Sequence, residues 1–409
     1  MRAVRHIAEP PRVPAAPLIG GLAGALAYRR DPPAFLRRWR ARLGPVFTLS
    51  LAGVEMTVVA GPAEAEPVLR APDTRLGARA AQARFGFERT LGPIALHVGT
   101  DLHQTLLVRE RRRWDGDLEA RLRDAVARAL DAEPSGEVEL FAALRRVALR
   151  ATARAFGSDA LAAEPFLARF AAFQDVLEEA TARGAALPGF VARPLVYEPV
   201  HRRGRALVRE VVGLLRGASL APYLAALRAR LPDPGDDDAL GEIVLGLLFA
   251  AHKNVAIGAA QLLCFTAGTP PEGEALDRAI RETLRLCALG LGSLRQVRGA
   301  PFPLGPWRLP PGRLVAVSHQ LLARDPALWD EPDVFRPARF AEPAAPFAWI
   351  PFGAGPHGCP GRSVALRLIR ELAAAVAARG LTLQGAPPPL DFTRATLAQR
   401  RGPVHARLG

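Results

Sequence analysis

The sequence predicts a mainly α-helical chain with small β-sheets. Three observations carry this. Hydrophobic residues make up 49% of the 409 residues, with alanine and leucine abundant, a composition suited to buried helices. Helical patterning runs through residues 101–230 and through the long apolar stretch 238–268. Strand-like alternation is confined to short segments near the two ends.

Taken in order, residues 1–20 are an irregular, proline-rich segment. Residues 32–43 read as a helix opening on D-P-P, because proline suits a helix's first position. V-F-T-L-S-L-A and V-E-M-T-V-V-A around Gly53 read as a hairpin. G-P-A-E-A-E-P-V-L-R starts another helix, and the helical pattern after 101 breaks at A-L-P-G-F, residues 186–190. L-T-L-Q, then T-L-A-Q-R-R-G-P-V-H-A-R-L beyond the prolines at 387–389, read as paired short strands. No low-complexity linker interrupts the middle and no internal repeat occurs.

The chain has 54 Lys plus Arg against 40 Asp plus Glu, and Lys253 is the single lysine. Abundant Arg, Ala, Gly and Pro together read as a coding bias. With no zinc finger, helix-turn-helix or aromatic-interleaved basic motif, nucleic acid is not an expected partner. No membrane span is expected either: the most apolar early run, 18–27, is half the roughly 20 residues a span needs. Cys264, Cys287 and Cys359 do not make a disulfide framework, which points to a reducing compartment and a cytoplasmic location. Cys264 and Cys287 sit in apolar helical runs and read as core.

Cys359 is different. It lies in F-G-A-G-P-H-G-C-P-G, Phe352 to Gly361, beside three glycines and before Pro360. The following R-S-V-A-L-R-L-I-R-E-L is helix-forming, so Cys359 is expected at a helix N-terminus, where the dipole and unpaired N–H groups favour a thiolate. Glycines let the backbone turn tightly and approach a flat partner. A thiolate so held suits axial ligation of haem iron.

Phe352, Gly355, His357, Cys359 and Gly361 fill the pattern F-x-x-G-x-[R/H]-x-C-x-G, which resembles the haem-binding signature of the cytochrome P450 superfamily. Further motifs follow the family's order. Glu282 and Arg285 form E-x-x-R on a helical stretch, where residues three apart share a face. The family's pair locks onto an arginine similar to Arg339 in F-R-P-A-R-F. Between them, Arg295 and the turn L-P-P-G at 309–312 fall where the family has a propionate-binding arginine and a hairpin.

The resemblance implies one large P450 domain over 1–409, with haem between the helices the family calls I and L. It implies haem b (iron protoporphyrin IX) with Cys359 as the iron ligand, Phe352, Gly353 and Gly361 around it, and His103, Arg295 and His357 on the propionates. Leu107 stands where H-x-x-x-R would place an arginine, and Arg109 lies on a different helical face. The family's I helix reads [A/G]-G-x-[D/E]-[T/S]; here the register is Ala250-Ala251-His252-Lys253-Asn254. Asn254, Ala250 and Ala251 would line the oxygen site. Lys253 reads either as a solvated cation facing away or as part of a reorganised proton relay, and His252 as structural or as a relay.

The implied activity is insertion of one atom of O2 into an apolar small molecule: a terpenoid, steroid, fatty acid or other intermediate of secondary metabolism. Electrons would come from NAD(P)H through a reductase and a ferredoxin or flavodoxin. The family's redox partner docks on a positive face, for which R-E-R-R-R at 109–113 and Arg362, Arg367 and Arg370 are candidates. Without the acid–alcohol pair, a second implied class is a peroxide-driven oxygenase, or an isomerase or dehydratase. A non-catalytic ligand-binding protein is disfavoured by the intact motifs.

Overall fold

The computed structural model describes residues 9–13, 22–51, 54–83, 100–184, 191, 193–394 and 396–409. It divides into two compact units. The first comprises Met1–Arg84, Arg281–Cys359 and Leu390–Gln399; the second comprises Phe85–Ile280, Pro360–Pro389 and Arg400–Gly409. The chain is mainly helical with small sheets, as its sequence predicts.

The first unit is built on a five-stranded sheet. Val46–Leu51 and Val54–Val59 form the expected antiparallel hairpin, with Val46 opposite Val59; its Gly53 turn lies outside the described residues. Val54–Val59 then pairs in parallel with Leu314–Val317, which pairs antiparallel with Ser293–Val297, and that strand pairs with Leu76–Gly77. Alternate residues point to opposite faces of a strand. Leu314 and Ala316 join Leu36, Phe47 and Met56 on one side. Val315 and Val317 join Val46, Val68 and Leu69 on the other. Both faces are covered, which explains why the central strand reads L-V-A-V without polar alternation.

Helices cap this sheet as the sequence predicts. Pro32–Leu43 opens with Asp31, whose carboxylate accepts from the Ala34 N–H at 3.0 Å, a cap that satisfies one orphan donor. Pro62–Arg70 follows the hairpin. Of the irregular segment 1–20, only 9–13 lies among the described residues, and there Arg12 bridges in parallel to Thr48.

The second unit is helical. Arg111–Asp131 packs on Leu140–Phe156, and Lys253–Phe265 packs on Leu140–Phe156 and on Arg362–Ala378. Every residue from Val255 to Leu263 is buried. Ala256, Gly258, Ala259 and Ala260 keep that helix slim enough for close neighbours on several sides. The tail strands Thr382–Leu383 and His405–Leu408 pair as expected, and Gly136–Glu139 adds a third strand to them. The sequence reading of 101–230 as helical missed that strand. The break expected at 186–190 lies outside the described residues.

The apolar run 238–268 is two helices, Asp237–Ala251 and Lys253–Phe265, interrupted at His252. The cause is local. The His252 Nδ1–H donates to the Leu248 carbonyl at 2.7 Å, the acceptor that a regular helix offers to the residue-252 amide. A side chain inserted into the helical ladder bends it. By length and composition Asp237–Phe265 could cross a membrane, but 67% of its apolar window is buried within the protein, as in a core helix.

Candidate functional site

In the first unit, Cys359 ends a tightly wound loop. The Cys359 N–H donates to the Phe352 carbonyl at 2.8 Å, and the Gly353 N–H to Ile350 at 2.9 Å. Gly355 has φ +70°, and a Cβ there would stand 2.1 Å from the Leu69 carbonyl oxygen, so only glycine lets the loop seat on Pro62–Arg70. Cys359 is exposed, Cys287 is buried and Cys264 is half-buried; none forms a disulfide. One sequence expectation changes. The helix after the cysteine begins at Arg362 with Gly361 as its cap, so Pro360 is a turn residue rather than the first helical one. Cys359 therefore stands two residues before the cap, where the dipole's influence is weaker than expected.

Glu282 and Arg285 brace this unit. Both are 0% exposed. Arg285 Nε and Nη2 donate to the two Glu282 oxygens at 2.7 and 2.8 Å, and Arg339 Nε donates to Glu282 Oε1 at 3.0 Å. Arg285 Nη1 reaches the carbonyls of Ala323 and Pro332, both at 2.7 Å, and its guanidinium lies over the Trp329 ring. The triad expected from E-x-x-R and F-R-P-A-R-F is present, with Glu282 and Arg285 fully buried and Arg339 at the edge of the cluster.

Arg295 lies on Ser293–Val297 and is 4% exposed. Its Nη1 donates to the Leu294 carbonyl at 2.8 Å; Nε and Nη2 have no hydrogen-bond partner among the described residues. Burial lowers its pKa to about 10, which Asp73 partly opposes. The Asp73 carboxylate is engaged elsewhere: it lies 3.3 Å from His357 Nε2 and accepts from the Ala78 N–H at 2.8 Å. His357 Nε2 thus stands beside Asp73 with no hydrogen bond between them, a proximity the sequence did not reveal.

In the second unit, Ala250 and Asn254 are exposed, Ala251 is half-buried, and Val255 onward is buried. Ala250 lies in the last turn of one helix and Asn254 in the first turn of the next, so these two exposed residues flank the interruption at His252 as a short open strip. Lys253 corrects the reading of it as a solvated cation. It is 4% exposed, its ammonium is bonded to Glu178, and Asp175 lies 3.9 Å away. It points to Phe166–Gly184 because a buried ammonium needs counter-charge and finds two carboxylates there. His252 is fully buried, with its pKa lowered to about 3 by burial, with smaller contributions from Arg145 and Lys253. At neutral pH it is an uncharged kink residue.

His103, in Thr100–Gln104, has its Nδ1 2.6 Å from the Tyr223 hydroxyl, with the two rings stacked. Burial lowers the His103 pKa to about 4 and raises that of Tyr223, so at neutral pH both rings are uncharged. Tyr223 lies 120 residues away in sequence, and nothing in the sequence pointed to it. A π-helical turn, Thr105–Arg109, follows; Leu107 is buried in it and Arg109 is exposed, so neither supplies a buried cation.

The expected positive face is smaller than its sequence suggests. Arg367 pairs with Glu119 and Arg370 with Asp277, while Glu110 pairs with Arg230. Arg109 and Arg112 are exposed; the side chains of Arg111 and Arg113 lie outside the described residues.

Arg295 tests the fit of these residues to a haem. A buried guanidinium with two nitrogens unpartnered among the described residues calls for an anion, and a haem carries carboxylates. An exposed thiol on a glycine loop supplies a soft axial donor. The residues fit the group.

Comparisons with known proteins agree. The family described as Cytochrome P450 matches residues 255–374, a span containing Glu282, Arg285, Arg295, Arg339 and Cys359 and beginning just after Asn254. Cytochrome P450 3A15 of Cavia porcellus is 38% identical over 99 residues, 23% of this chain and 20% of that protein. Cytochrome P450 3A1 of Rattus norvegicus is 33% identical over 146 residues, 34% of this chain and 29% of that protein. These alignments span less than a third of the relatives' length. The fold is similar to that of the retinoic acid-bound cyanobacterial CYP120A1, with TM-score 0.75 and 19% identity over 98% of this chain and 99% of the other.

Proposed function

We propose, for a chain that belongs to the cytochrome P450 superfamily, that it is a haem-thiolate monooxygenase of a single domain spanning 1–409. The reaction adds one atom of O2 to an apolar small molecule and reduces the other to water with two electrons from NAD(P)H. The electrons pass through a reductase and a ferredoxin or flavodoxin, and the enzyme works in the cytoplasm. The observation that carries the reading is one corner of the first unit. There the loop bearing Cys359 approaches Ser293 at Gly353, on the strand that presents Arg295, whose Nε and Nη2 have no partner among the described residues.

Cys359 would ligate the iron, with Phe352, Gly353 and Gly361 in the loop around it. Arg295, His357 and His103 would hold propionates. When bound, haem supplies the activation of dioxygen, favoured by a thiolate that pushes electron density to the iron. The chain's own contribution at Ala250–Asn254 is modest in protons. Asn254 can orient a water or a substrate hydroxyl through its amide but is a poor proton donor. Ala250 and Ala251 leave space beside it. Terpenoids, steroids, fatty acids and other secondary-metabolite intermediates all suit an apolar site.

A second reading is favoured by Lys253. Its ammonium is committed to Glu178, so the position that usually carries an acid offers no acid to the open strip. A peroxide-driven oxygenase takes its protons and electrons from the peroxide itself, and an isomerase or dehydratase consumes neither O2 nor NAD(P)H. One experiment separates the two. Substrates found by haem spin-state change are incubated with NAD(P)H, ferredoxin and reductase, or with hydrogen peroxide or an organic hydroperoxide alone. Product from the first mixture and little from the second supports the monooxygenase; the reverse supports the second reading.

A further inference from the structure

The sheet that presents Arg295 holds a second buried donor. Ser293 and Arg295 are two apart on one strand and so share a face. Val317 is paired with Ser293, and two residues beyond it His319 turns its imidazole back, placing Nε2 2.9 Å from the Ser293 Oγ. The residue is 5% exposed, and Nδ1 has no partner among the described residues. A Cβ on Gly292 would stand 2.5 Å from the ring, so the chain keeps glycine where the imidazole passes. Three buried polar atoms in this corner, Arg295 Nε and Nη2 and His319 Nδ1, thus have no hydrogen-bond partner among the described residues.

Buried polar groups are nearly always bonded, so three in one corner mark an absent acceptor. The acceptor is an anion, because Arg295 has no neutralising carboxylate bonded to it. Burial and the nearby Arg295 charge hold the His319 pKa down to about 4, so it is a neutral ring with a single N–H. If the Ser293 hydroxyl donates to Nε2, that N–H is on Nδ1. One guanidinium and one neutral N–H match one carboxylate, with no charge left over. We propose that His319, through Nδ1–H, is a second donor to the propionate carboxylate that Arg295 holds, with Ser293 as the positioning residue that sets its tautomer. The inference rests on the haem reading above and adds a contact that neither the cysteine loop nor the E-x-x-R motif announces.

The test uses the full chain reconstituted with haem or with haem dimethyl ester, whose propionates are blocked. The thiolate character of the parent is checked first by its reduced carbon monoxide spectrum. Haem loss to excess apomyoglobin is then timed for the parent, His319→Leu, His319→Gln and Ser293→Ala. A hydrogen bond to a charged group sets the expected scale: His319→Leu should lose haem about tenfold faster, Ser293→Ala less so, and His319→Gln within about twofold of the parent. With the dimethyl ester all four should lose it at one rate. Unchanged loss of haem from His319→Leu would overturn the proposal. So would an acceleration that persists with the ester, since the imidazole would then only pack or hold a buried water. Should His319→Leu not fold, the Ser293→Ala and His319→Gln comparison decides by the same criteria. A parent that takes up no haem, or shows no thiolate band, would overturn the haem reading itself and this inference with it.

Discussion

The ammonium of Lys253 is bonded to the Glu178 carboxylate, with Asp175 3.9 Å away. The one lysine of the chain thus ties the start of Lys253–Phe265 to Phe166–Gly184, while the next residue, Asn254, is on the open strip. Neighbours on one helix are assigned different duties by a rotation of about 100°.

Lys253→Ala should therefore act on stability. Glu178 keeps part of its solvation, so the loss should be about 2 kcal/mol, between that of an exposed pair and that of a buried one. The exchange Lys253→Glu with Glu178→Lys should recover most of it. Asn254→Ala should lower the product formed per NAD(P)H consumed, with more peroxide released. Unchanged coupling in Asn254→Ala would make that amide a packing residue.

Glu282→Ala leaves two guanidinium groups, Arg285 and Arg339, without their shared carboxylate. Breaking a buried pair costs roughly 3–5 kcal/mol, a large share of a domain's stability. Little haem-loaded protein should be recovered. Full haem content and an unchanged melting curve would show that the triad is dispensable.

Much of this was legible in sequence, and the division has a physical basis. Cys359, Glu282, Arg285 and Arg339 act through local spacing and order, which a chain displays directly. Asp31 before proline likewise announces its helix. The Glu178 partner of Lys253, the Tyr223 partner of His103 and the Asp73 neighbour of His357 are set by tertiary packing at separations of 75, 120 and 284 residues, and no local pattern encodes them. The interruption at His252 escaped notice because it contains neither glycine nor proline. Gly136–Glu139 was hidden because four residues between long helices carry too little alternation to read as a strand.

Acid should destabilise the fold through its buried histidines. His103, His252 and His319 have pKa values lowered to about 4, 3 and 4, against 6.5 when free. The unfolded chain therefore binds more protons between these values. Their contribution is complete above pH 6.5 and falls as pH drops toward 4, by up to about 1.4 kcal/mol per unit for each fully buried ring. Melting temperature measured from pH 7 to pH 4 should fall, and His252→Gln, whose amide can still donate to Leu248, should flatten the slope. A variant with the parent's slope would remove His252 from the account.

The most direct measurement is the reduced carbon monoxide spectrum of the purified haem-loaded chain. The account requires the red-shifted Soret band of thiolate ligation, and its loss in Cys359→Ala and Cys359→His, with Cys264→Ala and Cys287→Ala retaining it. A thiolate band that survives Cys359→Ala would contradict the assignment of the iron ligand and with it the proposed function.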